Sequence, residues 1–276
     1  MPVRSHRAER AAAEPEVAAP SAVPSGVEVL GARLGYGGRD VLVADHLAVP
    51  AGTVAALIGP NGAGKSTLLH ALAGIRPPRV GEIRLHGRPV AGVRRSIAYV
   101  LQSTHVSPTL PLSVREVVTM GRYAGRGLFG RLGRADRQAV DTALERLDIG
   151  DLARRQLGAL SGGQRQRVFV AQGLAQEADL LLLDEPVTGL DLVTQDRILD
   201  VVAEERAAGR AVVLSTHDLA EASRADQLVL LAGRVVATGT AAEVLTEANL
   251  TAAYGGRMVR LPGGAVLLDD ASHHAH

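Results

Sequence analysis

The chain has 276 residues, of which 46% are hydrophobic and 2% aromatic, with a formal net charge of +1 at pH 7. That is room for one large domain or two small ones with a core of Leu, Val, Ala and Ile, and no bulk charge excess argues for a nucleic-acid partner. There is no cysteine, which excludes disulfides and thiolate metal sites, and no apolar run approaches the ~18–20 residues of a membrane helix. Residues 1–25, rich in Ala, Pro, Glu and Arg, lack the apolar segment of a signal peptide and read as a disordered arm.

Residues 27–34 and 41–49 pattern as two strands joined by a turn at 35–40. The apolar run Val54, Ala55, Ala56, Leu57, Ile58 reads as a buried strand, and the segment from Thr67 to Leu72 as a helix. Further strands are expected at 83–88 and 97–100. From about residue 103 the character changes: 134–147 carries Val140, Ala143, Leu144 and Leu147 at helical spacing with charges between them. This predicts an inserted helical subdomain over about 103–165. Leu180 to Leu183 is a continuous apolar run ending in Asp184 and Glu185, and the run from Ala211 to Ser215 ends in Thr216 and His217. Both read as parallel strands buried on two faces. Strands alternating with helices predict an α/β fold with a mostly parallel core sheet.

Between the strand at 54–58 and its helix lie Gly59, Pro60, Asn61, Gly62, Ala63, Gly64, Lys65, Ser66 and Thr67, which fit G-x-x-x-x-G-K-[ST] without a mismatch. Glycines let such a loop curl until successive N–H groups face one anion, and the helix that follows adds its positive end. Lys65 is the single lysine among 30 Lys and Arg residues. A compact ammonium fits between two phosphates where a planar guanidinium is too wide, so Lys65 is expected to bridge the β- and γ-phosphates and Ser66 to ligate Mg2+. Asp184 stands where open α/β sheets put ligands and can hold the metal through water. Glu185 beside it can orient or deprotonate an attacking water. A second anion site is expected at Ser161, Gly162, Gly163 and Gln164, where a good N-cap and two glycines open a helix. One bound nucleotide does not need two such sites, so the second is expected to serve an ATP held by another copy, two chains facing head to tail.

These motifs in this order resemble the nucleotide-binding subunits of ATP-binding cassette (ABC) transporters, over roughly residues 27–250. The resemblance implies a P-loop NTPase fold of the ABC ATPase type, with an antiparallel β subdomain beside the parallel core and the inserted helical subdomain. It implies that Tyr36 stacks on adenine, that Gln102 senses Mg2+ and the attacking water, and that Ser161 to Gln164 are the signature motif. Asp184 and Glu185 match the magnesium aspartate and the catalytic base, Asp191 lies in the loop that crosses the dimer, and His217 matches the histidine that contacts the γ-phosphate. The family usually has proline where this chain has Leu101, which is expected to alter loop stiffness and not chemistry.

The stretch between Lys65 and Ser161 has room only for a small helical subdomain, not the long coiled coil of ABC-type repair and chromosome proteins, and there is one cassette. A transport ATPase is therefore expected, docked on separate integral membrane permease subunits at the cytoplasmic face of the membrane, with no nucleic-acid partner. Segments around Met120 to Tyr123 and residues 127–131 resemble metal-ion and siderophore importers, and Thr188 to Asp191 resembles the zinc and manganese branch. This implies a divalent metal importer served by an extracytoplasmic metal-binding protein, zinc before manganese. A siderophore or haem importer and a soluble ABC-type regulatory ATPase stay open. The ATPase domain is expected over 26–250. The tail over 251–276 ends in His273, His274 and His276, which are either a solvated terminus or a weak Zn2+ sensor.

Overall fold

The structure, a computed structural model, describes residues 26–101, 111–125 and 131–255, and the backbone of 258–260 and 266–268. The arm over 1–25, Gln102 and the three terminal histidines fall outside the described residues.

Strands β1 (Val27–Tyr36) and β2 (Arg39–Val49) form an antiparallel hairpin. Gly37 and Gly38 at its tip both have positive φ, 53° and 87°. Two left-handed residues make the tight turn whose twist matches the strands it joins. The strands therefore run two residues further than the expected turn at 35–40 allowed, and Tyr36 becomes the last residue of β1. Strand β3 (Val54–Ile58) leads through the glycine loop to helix α1 (Lys65–Leu72). The strand expected at 83–88 divides into β4 (Val80–Leu85) and β5 (Arg88–Pro89), because His86 and Gly87 turn the chain with φ of 50° and 72°. After β6 (Ile97–Val100) come the helices α2 (Val114–Met120), α3 (Arg134–Arg146) and α4 (Gly162–Ala175). Then follow β7 (Leu180–Asp184), α5 (Leu192–Ala207), β8 (Ala211–Ser215), α6 (Leu219–Ala222), β9 (Gln227–Leu231) and β10 (Val235–Gly239). The chain closes with α7 (Ala241–Val244), α8 (Glu247–Tyr254) and the antiparallel pair β11 (Met258–Arg260) and β12 (Val266–Leu268). Helix α8 runs across position 250, so no break in secondary structure marks the expected edge of the domain.

The central sheet has the order β10-β9-β3-β8-β7-β6, parallel from β9 to β6 with β10 antiparallel at one edge. A second, antiparallel sheet has the order β2-β1-β4-β5. Side chains alternate across a strand, so each central strand feeds two cores. Ala56, Ile58, Leu181, Leu183, Val212 and Leu214 face one core with α4 and α5, where Val168, Ala171, Ile198 and Val201 meet them. Ala55, Leu57, Leu180, Leu182 and Val213 face the other, packed on Leu68, Leu69 and Leu72 of α1 and on Val27, Val29 and Leu42 of the antiparallel sheet. Burial on both faces explains why β3, β7 and β8 are unbroken apolar runs and carry no alternation.

Helices α2 and α3 pack on α4 through Val117, Val118, Val140 and Leu144. Charges tie the insertion to the core. Arg122 pairs with buried Asp136 at 3.0 Å and with Glu177 at 2.7 Å. Arg146 of α3 pairs with Glu204 and Glu205 of α5, both at 2.7 Å, and Arg210 also meets Glu205. Among the described residues no helix is long and apolar enough to cross a membrane.

Candidate functional site

Parallel register decides what meets at the carboxyl edge of the central sheet. Ser215 of β8 stands beside Leu57 of β3 on one side and Asp184 of β7 on the other. The loops that leave β3, β7 and β8 therefore emerge as neighbours, which brings the glycine loop, the Asp184–Glu185 pair and His217 to one edge.

The glycine loop is shaped by two positions only glycine fills. Gly59 has φ of 147°, and a Cβ there would sit 2.1 Å from the Leu231 carbonyl oxygen; Gly64, with φ of 103°, would press a Cβ to 3.0 Å from Leu42. Gly64 is also the N-cap of α1 and offers no side chain to the first-turn N–H groups, so that turn presents backbone donors and the positive end of the helix to an anion. Lys65 is buried. Its Nζ donates to the carbonyls of Gly59 at 2.6 Å and Pro60 at 3.4 Å, which holds the ammonium across the loop. Ser66 is exposed between buried Lys65 and Thr67.

Asp184 and Glu185 are fixed by the strands on both sides. Ser215 Oγ donates to Asp184 Oδ1 at 2.6 Å and accepts from the Glu185 backbone N–H at 3.0 Å. Tyr99, on β6, donates its hydroxyl to Asp184 Oδ2 at 3.2 Å. Glu185 has φ of 47°, a left-handed conformation that costs a non-glycine residue about 1–3 kcal/mol and persists where the surroundings over-determine it. The kink turns Glu185 off the strand axis, and its Oε2 lies 3.9 Å from His217 Nδ1. The turn that carries His217 is pinned by buried Thr216, whose Oγ1 donates to Glu221 at 2.6 Å and accepts from the Asp218 N–H at 3.0 Å. Burial raises the Glu221 carboxyl above its ordinary range, against the lowering by the Thr216 hydrogen bond.

Tyr36 stands at the end of β1, 40% exposed. One face of its ring carries the Arg76 guanidinium, 4.1 Å from the centroid, and its hydroxyl is 3.5 Å from His70 Nδ1 on α1.

A second group forms where α4 and α5 begin. Ser161 and Gln164 cap α4 reciprocally: the Ser161 Oγ accepts from the Gln164 N–H at 3.3 Å, and Gln164 Oε1 accepts from the Ser161 N–H at 3.1 Å. Ser161 and Gly162 are exposed. Asp191 caps α5 through the Thr194 N–H and Oγ1, both at 2.9 Å, and these bonds hold its carboxyl below the ordinary range. The two caps adjoin, since a Cβ on Gly163 would lie 3.3 Å from Thr194 Oγ1 and 3.5 Å from Asp191 Oδ2. A cleft of ≈ 320 Å³ lined by Gly189, Gln195, His217 and Glu221 lies between the start of α5 and the turn that carries His217.

Sequence reasoning missed Tyr99, Ser215, His70, Arg76, Thr216 and Glu221. One signal was available for Ser215, a polar residue that closes an otherwise apolar parallel strand; Tyr99 is followed in β6 by Val100 and carried no such mark.

A family profile described as ABC transporter matches residues 43–188. The chain is 40% identical over 239 residues to the zinc transport system ATP-binding protein TroB of Treponema pallidum, covering 86% of this chain and 90% of that one. It is 40% identical over 236 residues to the manganese transport system ATP-binding protein MntB of Bacillus subtilis, covering 85% and 94%. Among solved structures it is similar to an ATP binding subunit of an ABC transporter, with a TM-score of 0.69 and 31% identity over 78% of this chain and 90% of that one. The chain belongs to the ABC transporter family and is an ATPase domain of it.

Proposed function

We propose that this ABC ATPase powers an importer for a divalent metal ion, zinc first and manganese second. The observation that carries the ATPase mechanism is the clamp on Asp184 and Glu185 by Ser215 beside the glycine loop. The metal assignment rests on the zinc and manganese transport relatives.

In this reading ATP lies along the carboxyl edge of the central sheet. Tyr36 offers its open face to adenine, opposite Arg76. The loop from Gly59 through Asn61, Gly62 and Ala63 to Gly64, together with Thr67, encloses the phosphates with backbone N–H groups. Lys65 exchanges its carbonyl partners for the β- and γ-phosphates. The site offers hydroxyl and carboxylate oxygens, the donors Mg2+ takes, and Asp184 keeps lone pairs beyond those used by Ser215 and Tyr99. Ser66 would hold the ion directly and Asp184 through water, and the sensing of the ion and the attacking water is assigned to Gln102. When bound, Mg2+ neutralises charge on the β- and γ-phosphate oxygens. Glu185, angled off its strand, takes a proton from the attacking water, and His217 donates to the γ-phosphate.

The exposed cap formed by Ser161, Gly162, Gly163 and Gln164 completes the site of a second copy, and Asp191 lies in the loop that crosses between copies. The working unit is thus a homodimer, docked through the helical subdomain on integral membrane permease subunits at the cytoplasmic face, and fed by an extracytoplasmic metal-binding protein. Residues 26–250 are assigned to the ATPase domain. Uptake of labelled zinc and manganese by cells carrying the native chain or Glu185→Gln tests the reading. Loss of zinc uptake in the variant is expected; unchanged uptake of both metals would overturn the metal assignment.

A further inference from the structure

Aromatic side chains are rare in this protein, with four tyrosines, two phenylalanines and no tryptophan. Two of the four tyrosines nevertheless stand at one site. Tyr36 reaches to 3.5 Å from His70 Nδ1, the His70 ring meets the Tyr99 ring edge-on at 5.7 Å and 84°, and Tyr99 reaches Asp184. These rings run as a column from the antiparallel sheet, through α1, to the acidic pair.

We propose that Tyr99 is a positioning residue for the metal-binding carboxylate of Asp184, held in place by the His70 ring behind it. The proposal rests on the reading of Asp184 given above. Parallel pairing sets Tyr99 beside Leu182, two residues before Asp184 and on the same face of β7. A tyrosine is long enough to lean past that neighbour to the end of the next strand, as strand side chains do. Its hydroxyl then takes one carboxylate oxygen while Ser215, from the opposite strand, takes the other. Ser215 also accepts from the Glu185 N–H, so its own proton is committed to Asp184. Two donors from flanking strands thus fix the rotation of the carboxylate about its last torsion, which a single donor leaves free. A phenol is protonated at neutral pH, so the hydroxyl is a donor there.

A hydroxyl that merely satisfied a polar group would contribute to stability and nothing else. A positioning hydroxyl changes how much metal the site needs; partners of direct ligands are typically worth about 10–100-fold in metal affinity, and because Asp184 holds the ion through water the lower end of that range is expected. The test is equilibrium binding of radiolabelled ATP by the full chain, in EDTA and across a Mg2+ titration. Asp184→Asn is expected to lose the Mg2+-dependent part of the affinity. Tyr99→Phe is expected to keep the affinity in EDTA, which shows a folded site, and to need about tenfold more Mg2+ for the half-maximal effect. Tyr99→para-aminophenylalanine, which retains a donor at similar reach, is expected to return the requirement to the native value. If Tyr99→Phe titrates like the native chain while Asp184→Asn does not, the positioning role is wrong and the reading of Asp184 stands. If the amino variant needs as much metal as the phenylalanine one, the donor is not what matters and the proposal falls. If Asp184→Asn itself titrates like the native chain, the reading of Asp184 fails and the proposal fails with it.

Discussion

The acidic pair at the sheet edge and the cap at the start of α4 are held in different ways. Asp184 and Glu185 take their geometry from residues distant in sequence: Tyr99 on β6 and Ser215 on β8, brought alongside by the parallel ladder. Ser161 and Gln164 take theirs from each other, three residues apart, and Asp191 takes its from Thr194. The first arrangement exists only when the sheet is formed, and it stores backbone strain at Glu185. The second is a local, exposed surface ready to meet something outside its own chain. Chemistry that needs fixed carboxylates sits on rigid strands, and recognition of a neighbouring copy is assigned to helix ends.

Changes at the sheet edge should therefore act on the isolated chain, and changes at the α4 cap only on the pair. Lys65→Ala should weaken ATP binding to a single chain by roughly 100-fold, since it removes a charge-assisted donor to two phosphates; equilibrium dialysis measures this, and native affinity would undo the phosphate role of the loop. Gly163→Asp adds a carboxylate at a partly exposed position where a Cβ would lie 3.5 Å from Asp191 Oδ2. It should leave ATP binding by one chain within about twofold of native and cut turnover by on the order of 100-fold. Equal loss of binding and turnover would mean that the two regions are not separate. The smallest effect concerns the turn that carries His217. Burial raises the Glu221 carboxyl in the folded state. A group whose folded value is raised gives stability below its unfolded value and loses it as pH rises through the folded one. Asp218 adds to that rise, while His217 and Arg224 oppose it. Glu221→Gln should flatten this loss in thermal unfolding followed from acid to neutral pH; an unchanged slope would contradict the assignment.

The same contrast explains what could be read from the sequence. The glycine loop was legible because its chemistry lies in nine consecutive residues between a buried strand and a helix. Ser161 with Gln164 was legible because a capping box is a pattern of spacing three. Asp184 and Glu185 were legible as residues, since they end an apolar run. The clamp around them was not, because Tyr99 and Ser215 reach Asp184 only through strand pairing across 85 and 31 positions. The left-handed His86 was missed for another reason: its neighbours Leu85 and Arg88 fit a single strand, and nothing local announces a turn except Gly87. The hairpin at Gly37–Gly38 shows the converse, two adjacent glycines marking a turn whose tightness sets where Tyr36 ends up.

The central claim is that Glu185 acts on an ATP enclosed by two copies. Molar mass in solution, measured on Glu185→Gln with and without ATP and Mg2+ alongside its rate of phosphate release, tests this most directly. The account predicts a nucleotide-dependent dimer that releases phosphate at least about 100-fold more slowly than the native chain. Brisk phosphate release by the variant, or a monomer that stays monomeric with ATP bound, would contradict it.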